Sequence, residues 1–273
     1  MVYHNDQLLA NASLLGLPIS SQCTLLVAAA GKGSRLGYSA PKTLYKVNEK
    51  PIIDHILDSF LPFCQNVVLI VSEIGLPVIK KHVHDRKKIV FAVQKTPRGM
   101  ADAVKIGLEC CSTPYVACIW GDQPFVNPNI IGKCLDILST QQISMVLPVC
   151  RLHNSYINID IDDSTGRILR VLQRREGDVM PECGIADCSV FFFRTDEMKT
   201  RLGEAMGAGL LQGRATGEQN FLPIMPFLDR VLLYPIEDIN YCPGINTPED
   251  AKVVECMLRE RCNHLKEQGF DNG

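Results

Sequence analysis

Short apolar runs alternate along the first half of the chain with stretches in which apolar side chains recur every three or four positions. A run of five to seven apolar residues is typical of a buried strand, and the wider spacing is typical of an amphipathic helix. This pattern favours an α/β domain with a mostly parallel sheet and helices on both faces. The predicted elements are strands at residues 24–30, 66–71, 89–93, 114–120 and 143–149, and helices at residues 52–60, 76–83, 100–108 and 129–138.

The rhythm changes after residue 150. Residues 156–162 alternate apolar and polar side chains, Ser164-Thr165-Gly166 supplies a turn, and residues 167–172 follow as a second strand, which predicts a β-hairpin. We expect one domain over residues 21–273, preceded by an N-terminal extension at residues 1–20. The remaining predicted elements are strands at residues 189–193 and 230–235 and helices at residues 197–206 and 248–266.

Composition and charge narrow the classes of function. Of the 273 residues, 46% are hydrophobic and 21% are charged, and the formal net charge is −2, which gives no general attraction to nucleic acid or to an anionic membrane. No apolar run reaches the roughly 20 residues needed to span a bilayer, and the N-terminus lacks the basic start of a signal peptide. We therefore expect a cytoplasmic protein without a nucleic-acid or membrane partner.

The twelve cysteines include no C-x-x-C pair, so free thiols are expected and a zinc site is not.

The stretch LLVAAAGKGSRLGYSAPKTLYKV, residues 25–47, is the strongest candidate for a phosphate site. Two glycines directly after a strand let the backbone turn and bring its N–H groups close to a ligand. Arg35 offers a planar set of donors and Lys42 a mobile charge, and both suit phosphate oxygens. The stretch is not a dinucleotide fingerprint, because Leu36 stands where that motif needs glycine. It is not a Walker A loop either, because Leu26 replaces the first glycine.

Polar residues follow two other predicted strands. Gln94 comes directly after the strand at residues 89–93, and Asp122 comes shortly after the strand at residues 114–120. Because the carboxyl ends of parallel strands meet at one edge of a sheet, both should lie near the glycine loop. A carboxylate beside a phosphate site suits Mg²⁺, which takes one or two protein oxygens together with substrate phosphates. The amide of Gln94 has a donor and an acceptor, which reading the edge of a pyrimidine base requires.

A family resemblance rests on the motif Ala29-Ala30-Gly31-Lys32-Gly33-Ser34-Arg35-Leu36, followed after four residues by Pro41-Lys42. This motif resembles the signature of the sugar-1-phosphate nucleotidyltransferases, a group that includes the MobA-like NTP transferases. It is most similar to the uridyltransferase domain that makes UDP-N-acetylglucosamine. The resemblance implies a Rossmann-like nucleotide-diphospho-sugar transferase fold, with a small β-hairpin insertion for the acceptor.

The resemblance also implies roles for individual residues. Arg35 and Lys42 would be the catalytic residues. Mg²⁺ would be held by Asp122 and by Asn246, which ends a Gly-Ile-Asn match to the family's Gly-Val-Asn motif. The residues expected to bind the nucleotide are Ala28, Ala29, Ala30, Gly31, Lys32, Gly33, Ser34, Gln94, Gly99, Met100, Gly121 and Asp122.

The acceptor side departs from the family pattern at two positions. Gln173 stands where the family has a sugar-binding Glu, and Asp187 begins Asp-Cys-Ser where the family has Asn-Thr-Gly. Both changes lie at positions where the family recognises N-acetylglucosamine. The resemblance therefore implies a sugar-phosphate-like acceptor and not this sugar in particular. Glu218 is expected to line the same site. The family's C-terminal β-helix domain is expected to be absent.

The implied reaction is transfer of a nucleotidyl group, most simply from UTP, to a sugar-1-phosphate with release of pyrophosphate. Three alternatives stay open. Asp122-Gln123-Pro124-Phe125 resembles cytidylyltransferases that act on a molybdenum cofactor or on a small alcohol phosphate. Asp160-Ile161-Asp162 fits the Asp-x-Asp pattern of a glycosyltransferase, although its place in an alternating strand favours a solvated face. A non-catalytic nucleotide sensor is disfavoured, because binding alone would not need Arg35, Lys42 and Asp122 together.

Overall fold

The computed structural model describes residues 19–86, 88–237 and 243–267, with side chains described as far as Glu260 in the last helix. The predicted N-terminal extension, apart from its last two residues, lies outside the described residues. The strands are β1 (Cys23–Ala28), β2 (Lys46–Val47), β3 (Lys50–Pro51), β4 (Asn66–Ser72), β5 (Ile89–Gln94), β6 (Tyr115–Trp120), β7 (Met145–His153), β8 (Ile157–Ile161), β9 (Ile168–Gln173), β10 (Cys183–Asp187), β11 (Val190–Arg194) and β12 (Val231–Pro235). The helices are α1 (Ile52–Phe60), α2 (Leu76–His82), α3 (Met100–Leu108), α4 (Pro128–Thr140), α5 (Thr195–Gly207) and α6 (Pro248–Glu267).

The main sheet is mostly parallel, as predicted. β1 pairs in parallel with β4 and with β6, and β4 pairs in parallel with β5. β7 and β12 form a further parallel pair. The exception is β11, which lies between β6 and β7 and runs antiparallel to both. β10 pairs antiparallel with the second half of β7. β10 and β11 therefore both pair with β7, and Cys188 and Ser189 interrupt the chain between them.

Helices cover both faces of this sheet, which confirms the predicted layers. Successive residues of a strand point to opposite faces, and β1 shows this directly. Leu25 and Val27 pack in a core with α1, α2, α4 and α6, whereas Leu26 packs in a second core with α3 and α5. All three side chains have no exposed surface. The carboxyl ends of β1, β5 and β6 are therefore held by a packed sheet.

The predicted hairpin is also present. β8 and β9 form an antiparallel pair outside the main sheet, and the Ile185 N–H donates to Asn158 Oδ1 at 2.8 Å, which joins the hairpin to β10. The predicted bounds of β8 and β9 differ from the observed ones by one residue at each end. Strand β10 was not predicted, because its sequence, Cys-Gly-Ile-Ala-Asp, contains no apolar run.

Two expectations about the whole chain can be compared with the described residues. None of the helices in the described part of the chain combines the length and the apolar character that a membrane span requires. Ten cysteines are described as free thiols, seven of them buried, as expected. Burial raises the pKa of Cys118 well above its usual range, which makes this thiol a poor nucleophile.

Candidate active site

One cavity of about 580 Å³ lies at the carboxyl ends of β1, β5 and β6. Its walls come from the glycine loop after β1, the loop between β5 and α3, and the end of β6 on one side. On the other side they come from the hairpin, the end of β10 and the segment at residues 218–222. The cavity thus joins the residues predicted for the nucleotide to those predicted for the acceptor.

The glycine loop is folded back so that Lys42 lies beside it. Gly33 has a φ of +69°, a left-handed conformation that favours glycine. The Lys42 N–H donates to the carbonyl oxygen of Gly31 at 3.1 Å, and a Cβ added to Gly33 would lie 3.3 Å from the Lys42 Cα. The loop therefore returns over itself and directs the Lys42 side chain toward the end of β6.

Four polar side chains from distant parts of the sequence meet at this point. Lys42 Nζ donates to Asp122 Oδ2 at 2.5 Å and to Asn246 Oδ1 at 2.8 Å. Arg35 Nη2 donates to the same Asn246 oxygen at 3.1 Å. Lys42 and Asp122 are mostly buried, with 14% and 22% of their side chains exposed. Charge-assisted hydrogen bonds are among the stronger ones in proteins. Because these four residues include the two cations predicted to bind phosphate, we refer to them as the phosphate cluster.

Asp122 and Asn246 fit the chemistry of a Mg²⁺ site. A carboxylate oxygen and an amide oxygen already converge on one cation, the ammonium group of Lys42. Mg²⁺ prefers oxygen ligands and needs only one or two from the protein when phosphates and waters supply the others. Among the described residues, no cluster of three or more His, Cys, Asp or Glu side chains could hold a metal ion. The two-ligand pair therefore stays the prediction for Mg²⁺.

Gln94 ends β5 with 6% of its surface exposed. Its amide nitrogen donates to the Gly99 carbonyl oxygen at 3.2 Å and to Asp102 Oδ2 at 2.9 Å. Both N–H groups of the amide are therefore engaged. No described residue donates to its Oε1, and Gln94 lines the cavity. The structure differs here from the expectation that Gln94 offers a donor and an acceptor to a base, because Asp102 in the first turn of α3 takes the donor.

Gly99 brings the loop after β5 into contact with the acceptor side. Its φ is +121°, and a Cβ there would lie 2.4 Å from the carbonyl oxygen of Gln219. The Gln219 N–H donates to the Arg98 carbonyl oxygen at 2.8 Å, and the Ala101 N–H donates to the Gln219 carbonyl oxygen at 2.9 Å. Only glycine fits this approach of two backbones.

The three residues predicted for the acceptor, Gln173, Asp187 and Glu218, all line the same cavity. Asp187 is 8% exposed, and its Oδ2 accepts a hydrogen bond from the Ser189 N–H at 3.0 Å. Burial raises the pKa of Asp187 to about 6, against the smaller opposing effect of the Ser189 N–H and of its own backbone N–H. Among the described residues, no lysine, arginine or histidine forms an ion pair with this carboxylate.

Comparison with known proteins identifies the family. A family model described as the MobA-like NTP transferase domain matches residues 25–175, which include the glycine loop, Gln94 and Asp122. The chain belongs to this family.

Solved nucleotidyltransferases share its fold. A 4-diphosphocytidyl-2C-methyl-D-erythritol synthase from Anaerococcus prevotii aligns with a TM-score of 0.62 at 14% identity, over 88% of this chain and 97% of that one. A putative glucose-1-phosphate thymidylyltransferase from Bacillus anthracis aligns with a TM-score of 0.68 at 14% identity, over 87% and 96%.

Sequence relatives of this MobA-like transferase include several called bifunctional protein GlmU. The GlmU of Thermodesulfovibrio yellowstonii is 32% identical over 249 residues, which are 87% of this chain and 52% of the relative. The GlmU of Clostridium botulinum (strain Loch Maree) is 22% identical over 254 residues, which are 88% and 52%. The chain spans about half the length of these curated relatives. Together with the family match they confirm the nucleotidyltransferase resemblance predicted from the sequence.

Some predicted residues of the MobA-like site lie outside the cavity. Lys32, Gly33 and Ser34 belong to the glycine loop but are not among the residues that line the cavity. The Asp-x-Asp candidate lies in the hairpin, also away from the cavity. There Asp160 forms an ion pair with Arg170 at 2.8 Å, and Asp162 accepts the Ser164 N–H at 2.8 Å. These contacts match the predicted solvated face and give no support to a glycosyltransferase site.

The cavity is also lined by residues that were not predicted, among them Trp120, Arg175 and Ser189. Trp120 ends β6 directly before Gly121, so its place in the strand could have indicated it. Arg175 follows Gln173 by two residues in a basic stretch, which is a weaker signal. Ser189 has a φ of +60°, and the glycine that the family has at this position could have indicated this conformation.

Glu176 supports this side of the cavity without lining it. Its carboxylate accepts hydrogen bonds from the backbone N–H groups of Ala215 and Thr216, from the Thr216 hydroxyl, and from the Asn220 amide, at 2.6–3.2 Å. Burial by itself raises the pKa of Glu176, but these hydrogen bonds outweigh it and lower the pKa to about 2. Arg175 lies between Glu176, at 3.7 Å, and Glu218, at 3.2 Å. We call Glu176 and its donors the Glu176 clamp.

Proposed function

We propose that the protein transfers a nucleotidyl group from UTP to a sugar-1-phosphate and releases pyrophosphate. The observation that carries this proposal is the phosphate cluster. Two cationic side chains, a carboxylate and an amide oxygen converge beside the glycine loop. Such a set suits a reaction in which both substrates bring phosphate charge to the same place, because the charge must be neutralised for them to approach.

The reaction needs no general base. An oxygen of the acceptor phosphate is already anionic when it attacks the α-phosphorus of the triphosphate. A bond forms between that oxygen and the α-phosphorus while the bond from the α-phosphorus to the bridging oxygen breaks, and pyrophosphate leaves with the electron pair. The protein therefore contributes alignment and charge neutralisation.

Residues of the phosphate cluster divide this work. Arg35 binds the β- and γ-phosphates and stabilises the leaving pyrophosphate, since a guanidinium can hold two oxygens at once. Lys42 contacts the α-phosphate and the acceptor phosphate, so it lowers the repulsion between the two reactants. Asp122 and Asn246 would hold Mg²⁺, which neutralises phosphate charge when it is bound.

The choice of UTP rests on Gln94 and Gly99. The free acceptor, Gln94 Oε1, matches the N3–H of uracil, and Gly99 lets a planar base approach the backbone. A sugar phosphate as acceptor is supported by the likeness to a putative glucose-1-phosphate thymidylyltransferase and by the polar acceptor side of the cavity.

A second candidate is cytidylyl transfer to a small alcohol phosphate or a molybdenum cofactor. The same Gln94 Oε1 can accept a hydrogen bond from the amino group of cytosine, and the likeness to a diphosphocytidyl-methylerythritol synthase is compatible with this base. The two candidates differ in which atom of the base faces Gln94.

The decisive experiment measures pyrophosphate release with UTP, CTP, ATP and GTP, each against a panel of sugar-1-phosphates and alcohol phosphates, with Mg²⁺ and with a chelator. We expect turnover with UTP and a sugar phosphate in Mg²⁺. Lys42→Ala should remove this turnover, whereas Lys80→Ala, at an exposed position on α2, should not. A preference for CTP would select the second candidate, and a preference for a purine would contradict both.

A further inference from the structure

The acceptor side of the cavity carries an unmatched negative charge. Asp187, Glu218 and Arg175 line it, and the one cation among them is already shared by two carboxylates, Glu218 at 3.2 Å and Glu176 at 3.7 Å. An Arg175 Nη also donates to the Asn220 side chain. The positive charge of Arg175 is therefore matched within its own neighbourhood, and Asp187 has no ion-pair partner among the described residues.

Asp187 is built into the cavity wall in a fixed position. It ends β10, and the Ser189 N–H binds one of its oxygens at 3.0 Å, while the Ser189 carbonyl oxygen accepts the Trp120 N–H at 3.3 Å. The carboxylate is thus held by the link between β10 and β11, which is itself hydrogen-bonded to the end of β6. Only 8% of the residue is exposed. A buried carboxylate without a partner is costly, so a ligand group of opposite charge would stabilise it.

We propose that the acceptor in the proposed nucleotidyl transfer, on which this inference rests, carries a protonated amine that pairs with Asp187. The acceptor is then a zwitterion, with a phosphate at the phosphate cluster and an ammonium group at Asp187 in the wall of the same cavity. A hydroxyl group in the same place can donate a hydrogen bond but leaves the buried charge unmatched. An acetamido group has one N–H donor, no charge and a carbonyl oxygen that Asp187 repels.

The test uses acceptors that differ only in this group. Glucosamine-1-phosphate is compared with glucose-1-phosphate and N-acetylglucosamine-1-phosphate, and ethanolamine phosphate is compared with 2-hydroxyethyl phosphate. Binding is measured by calorimetry, with and without a non-reactive UTP analogue, and turnover is measured separately by pyrophosphate release. We expect the amine of at least one series to bind roughly tenfold or more tightly than its neutral counterparts, as a charge-assisted hydrogen bond would give.

Two isosteric variants assign the preference to one residue. Asp187→Asn should remove the amine preference in the same series. Asp160→Asn removes a carboxylate of the hairpin that lies outside the cavity and should leave the preference intact. A change in Asp187→Asn that merely lowered stability would affect all acceptors of a series alike, so the ratio between them separates recognition from folding.

The outcomes for the amine and for the reaction can be told apart. Amine binding that depends on Asp187 without any pyrophosphate release would contradict the proposed function and support the amine inference. Equal or tighter binding of the neutral acceptors, an amine preference that survives Asp187→Asn, or no binding of any member of either series would overturn the amine inference. Turnover of neutral acceptors in those cases would leave nucleotidyl transfer standing.

Discussion

The Glu176 clamp gives a prediction whose size can be worked out from the structure. Four donors surround one buried carboxylate, two from the backbone and two from the side chains of Thr216 and Asn220. Glu176→Gln removes the charge and turns an NH₂ group toward one of these donors. The fall of the Glu176 pKa from 4.5 to about 2 corresponds to about 3 kcal/mol, at about 1.36 kcal/mol for each pKa unit. We expect the free energy of unfolding at pH 7 to fall by about this amount.

The pH dependence follows from the same numbers. Because the folded-state pKa of Glu176 lies below its ordinary value of 4.5, the stabilisation is fully present above pH 4.5 and is lost as the pH falls toward 2. The difference in free energy of unfolding between the wild type and Glu176→Gln should therefore shrink as the pH falls from 4.5 toward 2. Other carboxylates titrate there too, but they are common to both proteins and cancel in the difference.

The assay is urea unfolding followed by circular dichroism at a series of pH values, on the wild type, Glu176→Gln and Glu204→Gln. Glu204 forms an exposed helical ion pair with Arg201, so its loss should cost less than about 0.5 kcal/mol at any pH. The reasoning would be refuted by a Glu176→Gln effect as small as that of Glu204→Gln, or by an effect that does not change between pH 5 and the lowest pH at which the protein folds.

Three further predictions concern the cavity. Arg35→Ala and Lys42→Ala should each lower kcat/KM by at least a hundredfold, about 2.7 kcal/mol, because each removes a cation that would neutralise the transition state of the proposed transfer. Steady-state pyrophosphate release measures this, and a change in Tm alone would make the residue structural. Asp122→Ala should abolish Mg²⁺-dependent turnover while the circular dichroism spectrum stays unchanged, and near-normal activity would exclude it as a metal ligand. Asp102→Ala should reduce discrimination between UTP and CTP, since the side-chain amide of Gln94 can then flip and exchange its oxygen and nitrogen. Asp102→Asn keeps a hydrogen-bond acceptor and should preserve the discrimination. Competition between the two triphosphates gives the ratio, and equal ratios in all three proteins would show that Asp102 does not orient the amide.

The parallel half of the fold could be predicted from the sequence because each of its strands is a local apolar run. The predicted strand at residues 114–120 differs from β6 by one residue, and the predicted helix at residues 100–108 has the bounds of α3. The same regularity placed Gln94 and Asp122 at strand ends, which is why the structure brings both to one cavity. Asn246, by contrast, was placed by resemblance, since no local pattern connects it to β6.

The antiparallel part could not be predicted in this way. Which strands β10 and β11 pair with depends on contacts between residues far apart in the chain, and β10 has no apolar run to mark it. The Glu176 clamp and the orientation of the Gln94 amide were missed for a related reason. Both depend on hydrogen bonds whose partners, such as Ala215 and Asp102, are identified by position in space and not by sequence motif.

The close approach of Gly99 to Gln219 has a consequence for how the two substrates communicate. Two backbone hydrogen bonds join the segments on either side of this contact, so we expect the segment proposed to bind the base and the segment proposed to bind the acceptor to move together. If one substrate orders this joined unit, the second substrate binds a unit that is already ordered, and by linkage each substrate then raises the affinity for the other by the same factor. An acceptor tested in the absence of nucleotide would accordingly bind more weakly than it does during turnover.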